Sequence, residues 1–198
     1  MTFEGSATLP LVSRAIVALG WAAFFIFFAF KRQPGGETVA KRDPISVVGI
    51  VLQMVAFALV WMLQRPLPRA GTPLDAREII LDLLAPALSI ASTWIGLAAV
   101  RTLGQQWSLA ARLIEGHQLV VRGPYRLVRH PIYAGMLGKL LAANFAFGHW
   151  LGLVSAGSVF LVGTLIRIHS EEKLLRGRFG ADYEAYARQV PALLPWTH

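Results

Sequence analysis

Two stretches hold the groups best suited to chemistry: Arg129-His130-Pro131-Ile132-Tyr133 and Arg167-Ile168-His169-Ser170-Glu171-Glu172. In the first, a guanidinium, an imidazole and a phenol surround a proline. Pro131 suits the first position of a helix, because the N–H it lacks would be unpaired there. His130 then stands at the helix boundary. The free N–H groups of such a helix start can receive an anionic or polar group. In the second stretch, Arg167 and Glu171 share a helical face with Leu174 or Leu175. On an exposed helix that spacing gives an ion pair worth about 0.2–0.5 kcal/mol. Facing a shared cavity, the two charges would instead bind groups of opposite sign. Glu171 and Glu172 repel one another and gain nothing from anionic lipid, so a cationic ligand accounts for the pair. Upstream, His117-Gln118-Leu119-Val120-Val121 reads as a short extended run, and Arg122-Gly123-Pro124-Tyr125 as a turn. Any one Arg, His or Tyr at a helix entrance is an ordinary interface anchor. Anchoring alone does not require RGPYRLVRHPIY.

The elements that position these groups read as membrane spans. Crossing a bilayer takes about 20 apolar residues. Val12–Phe30, Ile45–Leu63 and Ile79–Val100 qualify, the last with Asp82 near its start and Pro86 inside it. Two further spans run from about Ile132 to Phe147 and from Leu151 to Ile168. Only Gly148, His149 and Trp150 separate them, which predicts an antiparallel helical hairpin. The first span reads as a transmembrane helix rather than a cleaved leader. It has little basic flank before it, no small-x-small site after Phe30, and Lys31-Arg32 as a stop. The expected fold is therefore all-α and integral to the membrane, with about five transmembrane helices. Residues 1–100 would supply three of them. Residues 101–198 would supply a cytoplasmic loop, the hairpin and a tail that together form the chemical site. In the tail, Tyr183, Tyr186 and Val190 fall on one apolar face of a further helix.

Composition agrees. Charged residues make up 15% of the 198, against about 25% in soluble domains, and 55% are hydrophobic. Mean hydropathy is +0.53. Nucleic-acid binding would explain the net charge of +8 but not that hydropathy. Aromatic content of 11% excludes a disordered chain. With no Cys, disulfides, thiolate metal sites and a Cys nucleophile are excluded, and no metal site is expected. Of the 19 Lys and Arg, 14 fall after the first span, between the third and fourth, or from Arg167 at the end of the fifth onward. Arg14, Arg65, Arg69 and Arg77 fall on the other side, and Lys139 lies inside the fourth span. By the positive-inside rule the N-terminus is outside, and the C-terminus and site are cytoplasmic.

Taken in order, the motifs resemble a known family. They are His117-x-Leu-Val, Gly123-Pro124-Tyr125-Arg126, Arg129-His130-Pro131-x-Tyr133-x-Gly135, Arg167-x-x-x-Glu171-Glu172, Phe179-Gly180-x-x-Tyr183-x-x-Tyr186 and Val190-Pro191. The stretch from about Leu103 to Pro195 is similar to the isoprenylcysteine carboxyl methyltransferases. These are integral-membrane enzymes related to phosphatidylethanolamine N-methyltransferase. The resemblance implies S-adenosylmethionine as cofactor, enclosed by loop, helix start and tail. It also implies a lipophilic or lipid-modified acceptor arriving from the bilayer, most naturally a carboxylate. Carried onto this sequence, the cofactor shell is His117, Gln118, Leu119, Val120, Tyr125, His130, Pro131, Ile132, Tyr133, Glu171 and Glu172. Arg167 and Glu171 are the expected catalytic pair, with Arg167 on the acceptor. The family also uses a Gln shortly before the His-x-Leu-Val run; here that stretch reads SLAARLIEG and has none.

Three alternatives stand beside this reading. A lipid amine could be the acceptor, although no dedicated base for it is evident. A membrane reductase of sterol-reductase-like architecture would bind NADPH, but Glu171 and Glu172 would repel its 2′-phosphate. A non-enzymatic scaffold would use every motif residue as an anchor. Membrane lipids are expected partners and nucleic acid is not. Nothing in the sequence sets an oligomeric state.

Overall fold

The computed structural model describes residues 8–31, 39–66 and 74–195. Arg32 and Arg69, counted in the charge asymmetry, lie outside the described residues. The helices are α1 (Thr8–Phe30), α2 (Ile45–Met62), α3 (Ala76–Leu103), α4 (Pro131–Phe147), α5 (Trp150–Phe179) and α6 (Ala181–Gln189). Two short strands, β1 (Val39–Arg42) and β2 (Arg112–Ile114), pair antiparallel.

Among the described residues, four helices are long and apolar enough to cross a membrane: α1, α2, α3 and α5. The fold is all-α and integral to the membrane. The expected fourth span is α4, whose 17 residues make it the shortest of the five long helices. Its wall is mostly buried, including Met136, Leu140, Ala142, Ala143 and Ala146. Leu19, Ile26, Ile80, Leu83, Val154 and Leu165 are exposed. Such side chains would be costly in water and are stable against lipid tails.

The strand pair ties the end of α1 and start of α2 to the segment between α3 and α4. At the opposite end of the bundle, a bridge joins Gln64 to Gly148. There Arg14 donates to the Ala146 carbonyl (3.0 Å) and Arg65 to that of Phe145 (3.3 Å). These guanidinium groups satisfy carbonyls that the last turn of α4 leaves unpaired.

α3 begins with a capping box: the Glu78 amide donates to the Asp75 side chain, and the Asp75 amide to that of Glu78. α2 packs along α5, and α3 along α4. The α2–α5 approach depends on absent side chains. A Cβ on Gly49 would collide with the Gly163 carbonyl and with Arg167 Cγ.

The expected fifth span ended near Ile168, but the helix runs on unbroken to Phe179. Its 30 residues span about 45 Å, more than the ~30 Å hydrocarbon core. Arg167, Glu171 and Glu172 therefore ride on one rigid rod. Gly180, at φ 51°, turns the chain into α6.

The expected extended run His117–Val121 is irregular instead; the strand forms five residues earlier. The His117 amide donates to the Ile114 carbonyl and closes a turn. That turn, with Gly116 at φ 73°, ends β2.

Candidate active site

A cavity of about 540 Å³ opens among α1, α2, β2, α4, α5 and α6. That volume is typical of a small-molecule site. His117, Gln118, Leu119, Val120, Tyr125, His130, Ile132, Tyr133, Arg167 and Glu171 all lie on its wall. Pro131 and Glu172 do not. Pro131 opens α4, as its fixed φ and missing N–H favour.

His130 sits between two carboxylates. Its Nδ1 lies 3.4 Å from Glu171 Oε2, and its Nε2 lies 3.2 Å from Glu172 Oε1. The ring stacks on Tyr133 at 5.6 Å with a 10° interplanar angle. With an acceptor at each nitrogen, the doubly protonated imidazolium is favoured. Burial pulls the His130 pKa down, but the hydrogen bonds to Glu171 and Glu172 outweigh it and raise the pKa above 6.5. Its contribution to stability is therefore complete below pH 6.5 and lost as pH rises through the raised value. His117 behaves oppositely. Burial and Arg178 lower its pKa, so its contribution is present above pH 6.5 and fades below. Thermal unfolding measured from pH 6 to 9 is expected to show an alkaline decline that His130→Gln removes. A His130→Gln protein with the wild-type alkaline slope would contradict this.

Glu171 accepts a hydrogen bond from the Tyr133 hydroxyl and keeps its carboxylate open to the cavity. Glu172, one residue on, points about 100° away around the helix. Its Oε1 takes Arg129 Nη2 at 2.9 Å, and its Oε2 takes Arg176 Nη2 at 2.9 Å. Arg129 also donates to the carbonyls of Ala187 and Val190. The amides of Arg129 and His130 donate to the carbonyls of Pro191 and Ala192. Glu172 thus pins the tail to the entrance of α4, and Glu171 alone of the pair meets the cavity.

Arg167 is buried and has no carboxylate partner. It donates to Gln53 Oε1 (2.8 Å) and to the Leu109 carbonyl, and lies 4.7 Å over the Tyr133 ring. The Gln53 amide in turn donates to Thr164 Oγ1. The i, i+4 ion pair with Glu171 does not form. The cavity's deeper wall is apolar: Phe24, Phe25 and Phe28 from α1, and Ile50, Met54 and Phe57 from α2.

Several of these residues carried no motif signal. The apolar wall of α1 and α2 resembles any lipid-facing stretch. Gln53, a lone amide in an apolar span, was the readable sign. Gln106 also bears on the site, since its Oε1 accepts from the Gln118 amide at 2.6 Å. Lys139 lies outside the cavity wall, buried, donating to Ser89 Oγ at 2.9 Å.

The described residues suit an adenosyl sulfonium cofactor. Glu171 offers a carboxylate for a cationic group. Trp107, Tyr125 and Tyr133 line the same wall with aromatic faces, which attract cations. His117 Nδ1 is buried without a partner on the same wall.

The sequence compares with known proteins over the same region. Probable protein-S-isoprenylcysteine O-methyltransferase of Oryza sativa subsp. indica is 35% identical over 100 residues, 50% of this chain and 52% of that protein. The protein-S-isoprenylcysteine O-methyltransferase of Schizosaccharomyces pombe is 32% identical over 100 residues, 50% of this chain and 42% of that protein. Methanethiol S-methyltransferase of Pseudomonas sp. is 38% identical over 72 residues, 36% of this chain and 26% of that protein. The chain spans about half the length of the first of these relatives, and less of the others. The sequence model of the phospholipid methyltransferase family matches residues 81–182, just over half of the chain. That stretch contains β2, α4, all but the first residues of α3 and the whole of α5, and with them every expected site residue. The chain belongs to the phospholipid methyltransferase family.

Proposed function

We propose that this chain is a methyltransferase that takes its methyl group from S-adenosylmethionine and gives it to a lipophilic acceptor. The observation that carries this reading is Glu171. It is an open carboxylate on a cavity whose other end is lined by Phe24, Met54 and Phe57. Such a wall suits a cationic, water-soluble donor at one end and an apolar acceptor at the other.

When bound, the cofactor would supply an electrophilic methyl on a sulfonium. The chain's residues would bind and align. Glu171 would pair with the ammonium of the donor, in a site where water is scarce and the pairing strong. Tyr125, Tyr133 and Trp107 would favour the positive sulfur. Leu119, Val120 and Ile132 would exclude water. His117 and Gln118 would meet polar edges. Because methyl transfer is a direct displacement, most of the rate would come from alignment. Arg167 would orient the acceptor. Two of its nitrogens are engaged by Gln53 and Leu109, while its Nε has no partner. A carboxylate acceptor fits a guanidinium best and needs no base. The division of labour is then residues 1–100 for scaffold and apolar wall, and residues 101–198 for donor binding. The charge asymmetry supports a site on the cytoplasmic side.

Purified protein titrated with S-adenosylmethionine, S-adenosylhomocysteine and NADPH tests the reading. The two adenosyl compounds are expected to bind and NADPH is not. Arg167→Ala is expected to cut turnover of a lipid-extract acceptor far more than donor affinity. Binding of NADPH alone would favour the reductase instead. Equal loss of turnover and affinity in Arg167→Ala would refute the acceptor role.

A further inference from the structure

Among the described residues, the cavity wall holds one guanidinium without a partner. Arg112 lies on β2, where side chains alternate between faces. Ala111 and Leu113, on either side of it, pack against Leu174 and Leu175 of α5, and all four line the cavity beside it. Arg112 lines the cavity, and its Nε and one Nη are sealed from solvent with no hydrogen-bond partner. No acid among the described residues pairs with it. Its cross-strand neighbour is Arg42, a like charge. Of the other two arginines on the wall, Arg129 is engaged by Glu172, Ala187 and Val190, and Arg167 by Gln53 and Leu109 with only its Nε left over. A half-buried cation whose sealed N–H groups have no acceptor is costly, and an anionic ligand group removes the cost.

The position of Arg112 selects which anion. β2 lies outside the spanning helices, at the end of the cavity away from Phe57 and Met54. An acceptor held in the bilayer meets Arg167 and the apolar wall first. Leu113, next to Arg112, packs on Leu174, one turn beyond Glu171, and Arg112 and Glu171 line the same cavity. An α-amino acid group has an ammonium and a carboxylate on one carbon, and this cavity offers one partner to each. We propose that Arg112 binds the α-carboxylate of the methyl donor while Glu171 takes its ammonium. The assignment rests on the donor being S-adenosylmethionine.

The test compares two ligands within each variant by calorimetry on the purified full chain. One ligand is S-adenosylhomocysteine; the other is its decarboxylated analogue, with an aminopropyl arm. Wild type is expected to prefer the carboxylate about ten- to a hundredfold, the range for a hydrogen bond between charged groups. Arg112→Gln is expected to bind the two within about threefold of each other, and Arg112→Lys to keep part of the preference. The ratio is internal to each protein, so a general loss of folding does not imitate the result. A full preference in Arg112→Gln, or none in wild type, overturns the assignment. Wild type binding neither compound overturns the donor reading itself, and this assignment with it.

Discussion

Replacing Glu171 by Gln is expected to weaken S-adenosylhomocysteine binding about ten- to a hundredfold while leaving the fold intact. The amide oxygen can still accept from the Tyr133 hydroxyl, while the amide NH2 takes the place of the oxygen beside His130 Nδ1, which accepts in its neutral form. What the substitution loses is the charge. Among the described residues, the neighbouring carboxylate is spent: Glu172 is held by Arg129, His130 and Arg176. No second carboxylate among the described residues lines the cavity to replace Glu171 at an ammonium. Calorimetry gives the affinity, and a melting curve shows whether the fold has moved. Wild-type affinity in Glu171→Gln would remove the observation on which the proposed function stands.

Glu172→Ala is expected to act on stability instead. It strips one carboxylate from Arg129, His130 and Arg176 together. Arg129 is largely buried, with 13% of its side chain exposed, and keeps only carbonyl partners. Removing one partner of a buried pair costs about 3–5 kcal/mol, because an uncompensated charge stays behind. For a chain of this size that is a fall in Tm of roughly 6–20 °C. The tail should loosen first, since Arg129 holds the Ala187 and Val190 carbonyls. Amide hydrogen exchange at Arg129, His130 and Val190 would show this, because their N–H groups bond the tail or lie within it. A Tm within about 2 °C of wild type would refute the central place given to Glu172.

The two predictions differ although the residues are neighbours, and that difference was not legible in the sequence. The sequence placed both glutamates in the cofactor shell, because order along the chain carries no direction in space. The helical turn of about 100° between them decides which meets the cavity and which meets Arg129. The same holds for Arg167. Its spacing to Glu171 suggested a pair, yet Gly49 and Gly163 bring α2 so close that Gln53 takes its guanidinium. That close approach is made between segments more than a hundred residues apart.

Other features needed no tertiary information. The membrane architecture followed from long apolar runs, since a backbone in lipid must satisfy its hydrogen bonds within a helix. The start of α4 followed from Pro131, and motif order named one part of the cavity wall, from His117 to Glu171. What the sequence by itself determined was the set of helices and the residue types at the site, because both depend on local periodicity and local chemistry. What only the tertiary structure decided was partnership. It made Glu172 a brace, gave Arg167 an amide partner, drew α1 and α2 into the apolar wall, and left Arg112 unpaired. Those outcomes depend on which distant segments pack together.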